Sequence, residues 1–97
     1  MSSFDESKLA SYVGLAQRAN AVLYGEDIIT ERIKLAKVVL IYSGAPEKYR
    51  QRLLNKVKEY CPAYETEGLR KALHRDNVNA VAVTNDGLAN AIIQLLR

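Results

Sequence analysis

Ninety-seven residues, 48% apolar and 26% charged, suffice for one hydrophobic core and not for two, so a single domain over residues 1–97 is expected. The net charge of +3 leans mildly toward an anionic partner. A lone cysteine (Cys61) excludes an internal disulfide, no Cys/His group has zinc spacing, and no apolar run approaches a membrane span, so neither metal, cofactor nor membrane is expected.

Asp5 to Ala19 carries Leu9, Tyr12, Val13 and Ala16 at i, i+3, i+4, i+7, the spacing of an amphipathic helix, with Asp5 and Glu6 at its start and Arg18 in its last turn. Asn20 is a natural left-handed stop, and Ala21 to Tyr24 reads as a short strand. Gly25 opens a second helix, expected to reach Leu35. Lys37 to Tyr42 is a continuous β-branched run, the mark of a strand buried on both faces.

Ser43-Gly-Ala-Pro46 breaks that run and places Pro46 at the first position of a third helix. That helix is expected to reach Tyr60, with Tyr49, Leu53, Leu54, Val57 and Tyr60 inward, and Pro62 ends it. A strand over Ala63 to Thr66, a short helix over Leu69 to His74 and a buried strand over Asn79 to Thr84 follow. The last helix is expected to be capped by Asp86. Helices regularly separating strands predict a three-layer α/β/α sandwich around a mixed four-stranded sheet, its first short strand antiparallel.

The start Met1-Ser-Ser-Phe-Asp5-Glu6 has no basic segment leading into an apolar run, so a soluble cytoplasmic protein is expected. His74 has no catalytic partner placed by motif, and Ser43 to Pro46 lacks the glycine and lysine spacing of a phosphate-binding loop. No catalytic residue and no small-molecule substrate is assigned.

Gly14-Leu-Ala-Gln-Arg18-Ala-Asn20, then Gly25-Glu26, Leu35-Ala-Lys-Val-Val-Leu40 and Val81-Ala-Val-Thr84-Asn-Asp-Gly-Leu-Ala89 resemble the bacterial YlxQ-type proteins. These belong to the kink-turn-binding ribosomal protein superfamily. The resemblance implies the same sandwich and RNA binding through two loops, one at the start of the second helix and one before the last strand. The superfamily pattern at the first is Gly-x-Asn-Glu-x-x-Lys, where this chain has Gly25-Glu26-Asp27-Ile28-Ile29-Thr30-Glu31. Gly25 matches, Asp27 replaces the amide, Ile28 the acidic guanine reader, and Glu31 reverses the lysine's charge. Glu26 and Asp27 occupy the positive end of the helix and oppose phosphate, while Asp27 retains an acceptor for a guanine edge.

At the second loop the pattern is Leu-Gly-x-Ala-x-Gly. Leu69 and Ala72 match it, and Arg70 and His74 stand where glycines are usual. The implied RNA-binding set is Tyr24, Gly25, Glu26, Asp27, Thr30, Lys34, Lys71, Arg75, Asn77 and Val78. Tyr24 is the candidate for base stacking, Lys34, Lys71 and Arg75 for phosphate. Partners would be structured RNA, ribosomal RNA included, and translation-associated proteins. The alternative is a protein-interaction module on the same fold, motivated by the acidic helix start. Lys48, Arg52 and Lys56 form a basic stripe on the third helix, read either as a phosphate track or as a solvated face.

Overall fold

The structure is a computed structural model that describes residues 6–97; the expected helical residue Asp5 lies outside them. Five helices and four strands alternate: α1 (Glu6–Arg18), β1 (Val22–Tyr24), α2 (Glu26–Glu31), β2 (Val38–Tyr42), α3 (Glu47–Val57), β3 (Ala63–Thr66), α4 (Leu69–Leu73), β4 (Ala80–Val83) and α5 (Asp86–Leu96). The sheet order is β1-β4-β2-β3, with β1 and β2 antiparallel to β4 and β3 parallel to β2. It is the mixed sheet expected, and helices cover both faces.

The period of two along the central strands sorts the core. Val38 and Leu40 of β2, with Val81 and Val83 of β4, pack under Leu9, Val13 and Ala16 of α1, Leu69 and Leu73 of α4, and Ile92 of α5. Val39 and Ile41, with Ala80 and Ala82, face the other way onto Ile29 of α2 and Leu53 and Val57 of α3. Small alanines of β4 on the second face admit the larger side chains of the helices. Full burial of each leucine, isoleucine or valine in these layers contributes about 1.5–3 kcal/mol.

Local departures from the expected boundaries have local causes. The second helix does not run on to Leu35: it ends at Glu31, Arg32 turns out of helical geometry, and a 3-10 turn spans Ile33–Leu35. This reorientation buries Ile29 and Ala36 while leaving Leu35 exposed. Pro46 stands one position earlier than expected, as the N-cap of α3. Helix α3 ends at Val57, so Tyr60 is not inward but 53% exposed. The last helix is capped by Asn85, whose Oδ1 accepts from the Leu88 N–H at 2.9 Å, and Asp86 is its first helical residue. Asn20 adopts the expected left-handed backbone, φ 56°. No helix among the described residues is long and apolar enough to cross a membrane.

Candidate nucleic-acid interface

Antiparallel pairing of β1 with β4 sets Tyr24 opposite Val81, so the end of β1 and the start of β4 lie side by side. The chain leaves β1 into α2 and enters β4 from the α4–β4 loop. The two segments named by the resemblance therefore share one edge of the molecule. Gly25 joins them: its N–H donates to the Ala80 carbonyl at 3.0 Å, and its own carbonyl accepts from Ile29.

Gly25 has φ 88° and ψ 155°, a region open essentially to glycine alone. Beyond its flanking residues no atom lies within 4 Å of where its Cβ would stand, so backbone geometry, and not crowding, calls for glycine there. The same open space leaves the backbone approachable from outside.

Tyr24 is held from two sides. Gln17 Nε2 donates to its hydroxyl at 3.0 Å and to the Leu73 carbonyl at 3.3 Å, tying the end of α1 to β1 and to the end of α4. The Arg75 guanidinium lies 4.3 Å from the ring centroid. The loop thus reaches back across the first segment, and Tyr24 is half-buried beneath it. A base stacking on the covered face would have to displace Arg75 or stack on its outer plane.

The α4–β4 loop is braced from inside. Arg70 Nε donates to the Val78 carbonyl at 3.2 Å, its Nη2 donates to Asn79 Oδ1 at 2.7 Å, and its guanidinium covers the Tyr42 ring at 4.2 Å. His74 takes the left-handed conformation, φ 57°, a backbone region that glycine enters most readily. Val78 packs partly against the core, while Arg75 and Asn77 are exposed.

Glu26 is the charged centre of the helix start. Arg52 donates to both of its oxygens, at 2.6 and 2.8 Å, and Lys56 donates at 3.4 Å. The hydrogen bonds from Arg52 hold the Glu26 carboxyl below its ordinary value against the opposing effect of burial, with Lys56 adding to the shift. The same bonds raise the Arg52 guanidinium. Burial first, and then the nearby Glu26 charge, push the Tyr49 hydroxyl up, with Arg52 5.6 Å from the Tyr49 ring centroid. The basic stripe of α3 thus reaches the start of α2, and Glu26 spends its charge on two of its members.

The remaining candidates are distributed. Asp27 is exposed at the first turn of α2, beside an exposed Ile28. Thr30 lines a groove between α2 and the end of α3, with Ile33, Asn55, Lys56, Glu59 and Tyr60. Lys34 stands on the 3-10 turn, and Lys71 borders a small pocket with Glu6, Ser7 and Ala10 of α1. The corner proper comprises Tyr24, Gly25, Glu26, Arg75 and Val78, with Gln17, Arg52 and Arg70 as supports outside the implied RNA-binding set. Each support lies in a feature visible in the sequence, Gln17 in the first motif, Arg52 in the basic stripe and Arg70 at a usual glycine, but its partners are not visible there. Among the described residues no group of histidine, cysteine or acidic side chains is arranged to hold a metal ion. Cys61 is half-buried, and burial raises its thiol, so it is not an activated thiolate.

No protein-family model matches the chain. A solved structure of a protein of unknown function from Bacillus halodurans superposes with a TM-score of 0.80, covering 89% of this chain and 93% of that one at 24% identity, and shares the fold. RNA-binding protein YlxQ of Bacillus subtilis (strain 168) is 34% identical over 90 residues, which span 87% of this chain and 90% of that protein. On that identity and coverage, the chain belongs to the YlxQ family.

Proposed function

We propose that this protein is a non-enzymatic RNA-binding accessory protein of the cytoplasm, a single domain that engages a structured RNA at the corner where β1 enters α2 and the α4–β4 loop enters β4. The kinship with a protein named for RNA binding supports the RNA class. The observation that carries the placement is the Gly25–Ala80 hydrogen bond with the Arg75–Tyr24 stack, which bring the two segments together. Gly25 permits close approach of a phosphate chain, Asp27 accepts from a guanine edge, and Arg75 and Asn77 contact phosphate or an extruded base beside Val78. Thr30, Lys34 and Lys71 extend the contact outward from the corner. Kink-turn RNA, including kink-turns of ribosomal RNA, is the substrate class this reading favours.

The acidic helix start opposes this reading less than the sequence suggests, because Glu26 is neutralised by Arg52 and Lys56. A second reading, docking of a protein on the same corner, rests on Ile28, 41% exposed beside Asp27. Titration with a labelled kink-turn RNA at several salt concentrations separates the two. Binding that weakens steeply with salt and is lost when the G·A pairs are broken is expected for RNA recognition. Absence of RNA binding at low salt would leave the protein-docking reading in its place.

A further inference from the structure

The α3 stripe does not end in solvent. Lys48, Arg52 and Lys56 follow one another at i, i+4, i+8, all exposed, and Tyr60, in the turn three residues past the helix end, lines the same groove as Lys56. Tyr60 is 53% exposed, and it borders the groove of about 380 Å³ that Thr30 and Asn55 also line. Arg50 is not part of the series, being bound to Glu65 at 3.0 Å and to the Ala45 carbonyl. Against the three cations stand Glu26, already bonded to two of them, Asp27, whose charge is felt at Arg52, and Glu59 at the groove.

An exposed ring at the end of a row of cations, with a hydroxyl and an amide beside it, has the makings of a single-strand contact surface. Cations follow the phosphates, a ring accepts any base by stacking, and short polar side chains take up hydrogen bonds from sugar or base edges. A solvated helix face needs the cations and gives no reason for an exposed tyrosine at the end of the row. Because Arg52 and Lys56 also hold Glu26, the row is continuous with the start of α2. We propose that α3 and the α2–α3 groove form a second RNA surface, which binds an unpaired strand leaving the corner described above. In its placement beside a structured RNA the inference rests on the two-loop reading; in its chemistry it does not.

The experiment compares three RNAs: a kink-turn duplex, the same duplex with a short unpaired oligouridine tail, and the oligouridine alone. The tail is expected to tighten binding by about five- to 150-fold, the range of one stacked base. Tyr60→Ala should abolish that gain while Tyr60→Phe, which keeps the ring, retains it. Lys48→Ala should lower the salt slope for the tailed RNA by about 0.7 and leave the untailed duplex unchanged. A tail that adds nothing, or a gain that survives Tyr60→Ala, overturns the inference and leaves the two-loop reading standing. Binding of oligouridine and of the tailed duplex, lost in Tyr60→Ala, without binding of the untailed duplex supports the α3 surface and removes the two-loop reading. Binding of none of the three overturns both.

Discussion

Arg52 and Glu26 face each other in a two-bond pair, 2.6 and 2.8 Å, that locks the middle of α3 to the first residue of α2. The residues are twenty-six positions apart, and their pairing decides the electrostatics of the helix start. Glu26→Gln removes one negative charge from the corner and releases Arg52 and Lys56. RNA affinity is expected to rise, with the slope of log K against log salt steeper by about one; filter binding or fluorescence anisotropy at several salt concentrations measures both.

The same pair sets a pH dependence. The Glu26 carboxyl is held below 4.5, its ordinary value, chiefly by Arg52. A carboxyl depressed on folding contributes stability above its unfolded value, and that contribution is lost as pH falls through the folded value. Wild type should therefore be more stable than Glu26→Gln at neutral pH, with the difference shrinking below pH 4.5. Urea denaturation of both proteins across that range tests it; a difference that is constant with pH would contradict the assignment.

At Gly25 the demand is conformational. With φ 88° and open space around the absent Cβ, Gly25→Ala pays for backbone strain alone, on the order of 1–3 kcal/mol. A drop in melting temperature of roughly 4–8 °C per kcal/mol is expected by calorimetry. An unchanged melting temperature would show that the turn accepts a side chain.

Arg70→Ala removes two charge-assisted hydrogen bonds and a ring contact that brace the α4–β4 loop. A loss of about 2 kcal/mol is expected, with faster amide exchange at residues 75–79. Arg70→Lys restores the charge but not the planar fork, and should recover little of either.

Capping of α5 is decided between two neighbours. Asn85→Ala should cost about 1 kcal/mol, because its Oδ1 holds the Leu88 N–H. Asp86→Ala should cost less, since Asp86 makes only a 3.8 Å contact to Lys37. Chemical denaturation of the two variants ranks them directly.

Much of this architecture was legible along the chain because it rests on local patterns. The continuous apolar run at Val38 to Ile41 meant a strand covered on both faces, and each residue of that run is fully buried. The left-handed stop at Asn20 and the glycine demand at residue 25 are properties of single backbones, and single residue types announce them. Tyr60 was misread because its helix-phase position is apolar by pattern, while the helix itself ends three residues before it. Asp86 was favoured over Asn85 because either side chain can cap, and one residue of helix register decides which one does.

Side-chain partnerships lay beyond reach of the one-dimensional pattern. The YlxQ-type resemblance named two segments, but their meeting depends on β1 pairing antiparallel with β4, a long-range register. Arg70, standing where a glycine is usual, is consumed in bracing the α4–β4 loop, while Glu26 looked like a repulsive charge and is offset by α3. From the amino-acid order alone came the helices, the strands and the residues at their ends, since those follow from backbone preference and hydrophobic period. Which charges stay free to meet a partner was decided only by the folded chain, because an ion pair depends on distance in space and the sequence records only distance along the chain.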